Sequence, residues 1–76
     1  MKAFVLVGLK HTDERHALDE LKALPEIKDA YVLFGEWDLL LNIESTSPEA
    51  LGTFVMDKIR SRDDVKLTSS LIVAGS

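Results

Sequence analysis

Gly35 and Asp38, a glycine and an aspartate three residues apart, are the residues of this chain best suited to hold a small charged molecule. A glycine lets a ligand carboxylate come close to backbone N–H groups, and an aspartate carboxylate accepts hydrogen bonds from an ammonium group. Glu36 and Trp37 lie between them and complete this candidate binding segment. The same residues also suit an ordinary turn, in which glycine adopts positive φ and aspartate caps the backbone. The pattern alone leaves both interpretations open.

A run of three hydroxyl residues, Thr68, Ser69 and Ser70, interrupts an otherwise apolar segment near the end of the chain. In an extended strand, alternation sends Thr68 and Ser70 to one face and Ser69 to the other. The hydroxyls are either ligand contacts or solvent-facing groups of an edge strand. Trp37 has two interpretations as well: a partly exposed turn residue, or an anchor in a contact between subunits, where tryptophan is enriched.

The residues that usually carry catalysis or bind metals are nearly absent. The chain has no cysteine and two histidines, His11 and His16. Five residues apart across an expected loop-to-helix junction, they are poorly spaced as metal ligands, and no serine or cysteine nucleophile is identifiable beside either. We therefore expect no catalytic residue, no metal and no cofactor, and a protein that is not an enzyme.

Length and charge restrict the class further. A chain of 76 residues forms one domain, and at this size a single core is marginally stable, so association with other subunits is expected. Nine basic against thirteen acidic residues give a net charge of −4, which argues against direct nucleic-acid binding. No apolar run approaches the roughly 20 residues that span a membrane, and no signal peptide is apparent. We expect a cytoplasmic protein.

Hydrophobic patterning predicts six elements in the order β-α-β-β-α-β. Ser47 followed by Pro48 is a clear helix start, and Thr12 is expected to cap the first helix. This order predicts an α+β fold of the ferredoxin-like type, a four-stranded antiparallel sheet with two helices on one face and the first and third strands at its centre. The predicted elements are strands Ala3–Leu9, Ala30–Phe34, Asp38–Glu44 and Val65–Ala74, a helix Thr12–Leu24, and a second helix that begins at Pro48 and ends in the charged segment Arg60–Asp64.

The predicted strands are apolar on both faces, although two helices cover only one. An uncovered apolar face in a small domain predicts a partner subunit, because burying each large side chain stabilises by roughly 1.5–3 kcal/mol. In the third strand, the uniformly apolar set is assigned to the helices and the mixed set to the partner. The helix-facing set is Leu39, Leu41 and Ile43, and the predicted dimer interface is Phe4, Leu6, Leu40 and Asn42.

The central hairpin and the segments after it resemble the effector-binding domain of the Lrp/AsnC transcription regulators, also called the regulation of amino-acid metabolism domain. The similarity covers nearly the whole chain. Its most specific element is Gly35-x-x-Asp38 followed by an apolar strand. The matching segments are Val32–Leu41, Leu51–Val55, Ile59, Val65 and Thr68–Val73.

The resemblance implies the same βαββαβ fold, dimers formed sheet to sheet, further assembly into higher oligomers, and amino-acid effectors bound at interfaces between dimers. It places Gly35 and Asp38 at the effector site, with the hydroxyls of Thr68, Ser69 and Ser70 nearby. Full-length members also carry an N-terminal helix-turn-helix domain. Because the first predicted strand here begins at Ala3, we expect a stand-alone member of the family, which could associate with a full-length regulator. The alternatives are a small dimeric α/β-barrel enzyme, of the monooxygenase or lyase type, and a purely architectural oligomerisation module.

Overall fold

The computed structural model describes residues 1–10 and 13–75. Four strands form one antiparallel sheet, and helical segments follow β1 and β3, which confirms the predicted fold class. The elements are β1 (Lys2–Leu9), α1 (Glu14–Lys22), β2 (Ile27–Val32), β3 (Leu39–Glu44), α2 (Pro48–Phe54), a π-helical segment (Val55–Arg60) and β4 (Val65–Ile72).

The strand order across the sheet is β2-β3-β1-β4, so β1 and β3 lie at the centre as predicted. Lys2 pairs with Glu44 and Val7 with Leu39 in the central pair. On the other side of β1, Ala3 pairs with Ile72, and the register shifts between Gly8 and Leu9. This shift marks a β-bulge, which bends a strand and can re-aim the groups beside it.

Both helices begin at side-chain caps. Ser47 Oγ accepts from Ala50 N at 3.0 Å and Pro48 occupies the first turn of α2, as predicted. In α1 the cap is Asp13, whose Oδ1 accepts from His16 N at 3.1 Å. The cap predicted at Thr12 is therefore wrong in position, and Thr12 itself lies outside the described residues, as does His11. The helix ends at Lys22, earlier than the predicted Leu24.

The second strand differs most from its prediction. It begins at Ile27, within a segment expected to be a polar link, and ends at Val32 rather than Phe34. A register irregularity between Ile27 and Asp29 breaks the simple alternation, which is why this half of the strand did not match a strand pattern. The connection to β3 is consequently longer than a tight two-residue turn.

One layer of apolar side chains lies between the sheet and the helices. Ala3, Val5 and Val7 of β1 are fully buried, as are Leu39, Leu41 and Ile43 of β3. The helix-facing assignment made from β3 is therefore confirmed. No polar or charged residue of the described ranges is buried in this layer, which leaves no internal polar pocket between sheet and helices.

The opposite side of the sheet, the open face, is covered by neither helix and is largely apolar. Leu6 pairs with Leu40 on this face, and Leu40 pairs in turn with Tyr31, which is 51% exposed. The predicted interface residues Phe4, Leu6, Leu40 and Asn42 all lie here, each partly exposed. Leu67 and Leu71 extend the apolar surface onto β4.

Candidate functional site

Residues 33–38 connect β2 to β3 and form the hairpin tip. Leu33 N donates to Asp38 O at 2.8 Å and closes the loop at its base. Gly35 has a φ of 155°, a value that disfavours residues with a side chain, and a Cβ placed there would touch nothing within 4 Å. Phe34 is fully exposed beside it. A glycine is therefore favoured here by the backbone conformation, and not by a lack of space for a side chain.

Asp38 fastens the hairpin tip to the end of β1. Its N–H donates to Val7 O at 2.9 Å, and its carboxylate Oδ2 accepts from Leu9 N at 2.7 Å, just after the bulge. The β1–β3 ladder ends at the pair Val7–Leu39, so the Leu9 N–H beyond it has no strand partner on this side, and the carboxylate satisfies it. The second carboxylate oxygen, Oδ1, makes no hydrogen bond to any other described residue. Asp38 thus has a structural role and one free acceptor.

A cleft of about 350 Å³ lies beside the tip, lined by Gly8, Glu36, Trp37, Asp38, Lys66 and Leu67. Three of the four predicted tip residues are therefore brought together in one concavity, and Gly35 lies next to it along the chain. Trp37 is partly buried against this cleft. Gly8 pairs with Leu67 across β1 and β4 on the open face, so the cleft opens on the uncovered side of the sheet.

Gly8, Lys66 and Leu67 are cleft residues that sequence reasoning did not identify. They come from segments 25 or more residues from the tip and meet it only through the registers that β1 forms with β3 and β4. One signal was available, because an isolated glycine inside an apolar strand often marks a bulge or a close approach of other groups. Gly8 is such a glycine.

The predicted hydroxyl residues lie farther along β4, outside the lining of this cleft. Thr68 pairs with Val7 and Ser70 with Val5, on the helix side of the sheet, whereas Ser69 pairs with Leu6 on the open face. The predicted split between faces is confirmed. A role in ligand binding remains a prediction for all three, and Ser69 is the one on the same face as the cleft.

The backbone of the hairpin tip also presents free donors. The N–H groups of Gly35, Glu36 and Trp37 make no hydrogen bond to another residue within the described ranges. Consecutive free N–H groups in a turn can form a concavity that binds an anion. Beside the cleft, the tip therefore combines hydrogen-bond donors with the free Asp38 acceptor.

A second, larger cleft of about 450 Å³ is lined by a charged cluster whose groups satisfy one another. Arg62 donates through Nε and Nη2 to the two carboxylate oxygens of Asp64, at 2.9 and 3.0 Å, and through Nη1 to Glu20 at 2.9 Å. His16 Nε2 lies 3.6 Å from the Glu20 carboxylate. The cluster joins α1 to the segment before β4, so we interpret it as structural.

This cluster makes stability depend on pH. The hydrogen bond from Arg62 lowers the pKa of Asp64 below its ordinary value of 3.8. Because the folded-state pKa lies below the unfolded one, the stabilisation is complete above about pH 3.8 and is lost as the pH falls through the folded-state pKa. We expect Asp64→Asn to lower the free energy of unfolding by about 1 kcal/mol at pH 7. Urea denaturation between pH 7 and 2.5 measures both effects.

Asp63→Asn is the matched control, because Asp63 is exposed and adjacent. Asp64→Asn should lose stability less steeply than wild type below pH 3.8, whereas Asp63→Asn should follow wild type. Equal slopes for wild type and Asp64→Asn would show that the ion pair does not contribute to acid sensitivity.

A family model described as the Lrp/AsnC ligand binding domain matches residues 2–76. Among curated proteins, the regulatory protein AsnC of Escherichia coli K12 is 31% identical over 71 residues, which is 92% of this chain and 47% of AsnC. The chain spans about two-fifths to one-half of the length of the curated relatives it matches.

Solved structures agree with the sequence comparison. The crystal structure of FFRP-DM1 is 36% identical with a TM-score of 0.89, and the match covers 95% of this chain and 96% of that one. The transcriptional regulator NMB0573 from Neisseria meningitidis, solved as an L-Met complex, is 30% identical with a TM-score of 0.86. That match covers 97% of this chain and 49% of the regulator.

Proposed function

The chain belongs to the Lrp/AsnC ligand-binding domain family, and from this premise we propose that it is a regulatory module that binds an amino acid at the hairpin-tip cleft. The observation that carries the proposal is the pairing of opposite functions there: a free carboxylate oxygen on Asp38, and free N–H groups at Gly35, Glu36 and Trp37. An amino acid carries one ammonium and one carboxylate group. These complement the acceptor and the donors.

The relatives support a regulatory role over an enzymatic one. The curated relatives are transcription regulators, and the neighbour from Neisseria meningitidis is a regulator solved with L-Met. The layer between sheet and helices, where a dimeric α/β-barrel enzyme needs polar acid–base groups, contains only apolar buried residues in the described ranges. We propose that the module acts in the cytoplasm by associating with a full-length regulator, without contacting DNA itself.

We propose further that the chain forms a homodimer through the open face and that dimers assemble into higher oligomers. Asn42 supports this assignment. Its Nδ2 donates to Asp29 at 3.5 Å, but its Oδ1 is shielded from solvent and has no hydrogen-bond partner among the described residues. A buried acceptor without a donor is costly, so a rotation of the Asn42 amide that exposes it to a donor from a second subunit would be favourable. The cleft opens on this same face, which would place the effector beside the interface.

Asp38→Asn tests the binding proposal. An asparagine keeps an oxygen to accept from Leu9 N but loses the charge that attracts the α-ammonium. We expect affinity to fall by roughly tenfold to a hundredfold, or about 1.5–3 kcal/mol, while the fold is retained. Calorimetric titration with the twenty amino acids measures the affinity, and Trp37 emission reports on the cleft. Asp38→Ala should additionally lose stability, because Leu9 N is left without its acceptor.

Asp19→Asn, an exposed carboxylate on α1, is the control and should bind as wild type does. If calorimetry detects no amino acid up to millimolar concentration, the tip is only a turn and the architectural function replaces the regulatory one. Unchanged affinity in Asp38→Asn would remove Asp38 from the site.

A further inference from the structure

The floor of the hairpin-tip cleft is apolar, and one of its residues, Gly8, has no side chain. A Cβ placed on Gly8 would lie 3.6 Å from Leu67 Cγ and 3.8 Å from Trp37 Cε3, which are ordinary contact distances. Gly8 is buried, and it leaves a gap about one methyl group in size between two apolar walls, which an alanine side chain would fill. A ligand side chain is the group that could occupy this space instead.

The charged groups of the cleft lie around that floor. Asp38 offers Oδ1, and Lys66 forms no salt bridge within the described ranges, so its ammonium group is available to a ligand carboxylate. One acceptor and one cation complement the two charged ends of an amino acid. With these ends held, the ligand side chain is directed to the remaining surface, which is formed by Gly8, Trp37 and Leu67.

Glu36 is the one cleft group that could favour a cationic side chain. It is exposed to solvent at the tip, and an exposed ion pair contributes little because water and salt screen it. Among the floor side chains, by contrast, only the Trp37 indole N–H can form a hydrogen bond, as a donor. A cationic side chain finds no partner there and a carboxylate or amide finds at most one, and burying such groups with unmet hydrogen bonds is costly. The balance favours an uncharged, apolar side chain.

We propose that the cleft selects amino acids with an uncharged apolar side chain and that Gly8 sets the largest side chain it admits. This inference rests on the proposed function and adds the class of effector and a specificity-determining residue. Gly8→Ala is suited to test it. Among the described glycines only Gly35 has a positive φ, so alanine fits the backbone at Gly8 without strain.

The experiment is calorimetric titration of the wild-type chain and Gly8→Ala with glycine, alanine, leucine, methionine, phenylalanine, lysine and glutamate. Gly52→Ala is the matched control, since Gly52 is exposed on α2 with open space around it. We expect wild type to bind an apolar amino acid best. Gly8→Ala should lower the affinity for amino acids with large side chains by about tenfold or more, because one methyl group in an apolar pocket discriminates on that scale. The affinity for glycine and alanine should be nearly unchanged. Gly52→Ala should match wild type.

Each other result contradicts a defined part of the inference. An equal effect of Gly8→Ala on small and large side chains, or no effect, would show that Gly8 does not set the size limit. Tighter binding of lysine or glutamate than of any apolar amino acid would overturn the side-chain class. Both of these outcomes leave amino-acid binding intact, whereas a wild-type chain that binds no amino acid refutes the proposed function together with this inference.

Discussion

Leu40→Glu is expected to be a monomer at micromolar concentration in light scattering, under conditions in which the wild-type chain is proposed to be a dimer. Leu40 lies at the centre of the open face, where it pairs with Leu6 on one side and Tyr31 on the other. In a two-fold dimer the substitution would bury two unpaired carboxylates, and an uncompensated buried charge typically costs about 3–5 kcal/mol. This free-energy cost is comparable to the association free energy that a small interface can supply.

Met56→Glu is the control for this prediction. Met56 is 58% exposed on the π-helical segment, on the helix side of the molecule, so it introduces the same charge away from the open face. We expect Met56→Glu to remain a dimer. A Leu40→Glu variant that stays dimeric with wild-type stability, or a wild-type chain that is itself monomeric, would show that the open face is not the dimer interface.

Substitution of Leu41, the residue after Leu40, should affect the stability of the fold itself. Leu41 is fully buried between the sheet and the helices, so Leu41→Ala should lower the free energy of unfolding by roughly 2–5 kcal/mol by leaving a cavity. In a domain of this size that is a large share of the total stability. Chemical denaturation monitored by circular dichroism measures the loss, and the protein concentration must be held fixed because dimer stability depends on it.

Leu41→Met separates the cavity from other effects of the substitution. Methionine nearly conserves the volume, so the loss should stay below about 1.5 kcal/mol. If Leu41→Ala costs no more than Leu41→Met, the space beside Leu41 can collapse, and the tight packing of this layer is not what stabilises the domain.

Local patterns were enough to predict most of the fold. Ser47 and Pro48 fixed the start of α2, and alternation of polarity in β3 assigned Leu41 to the helices and Leu40 to the open face. The strand boundaries of β2 were wrong because the irregularity between Ile27 and Asp29 breaks the period that the prediction relied on. The π-helical segment was not predicted, since its hydrogen-bond pattern has no simple residue signature.

The candidate site was only half accessible to sequence reasoning. Gly35 and Asp38 are close together in the chain, so their type and spacing could be read directly. Gly8, Lys66 and Leu67 reach the same cleft through a strand register that joins distant segments. The hydrogen bond from Leu9 N to Asp38 was equally hidden, because it depends on where the ladder between β1 and β3 ends.

The fastening of Asp38 to β1 has a consequence for how the proposed module would respond to an effector. Three hydrogen bonds, through its N–H, its carbonyl and one carboxylate oxygen, order this residue during folding. The conformational entropy of the acceptor is therefore lost before any ligand arrives, and binding is preorganised at this position. An ordering of Asp38 cannot carry a regulatory signal. Any transmitted response must instead arise where the chain is still free, at the exposed residues 34–36 and across the open face of the sheet.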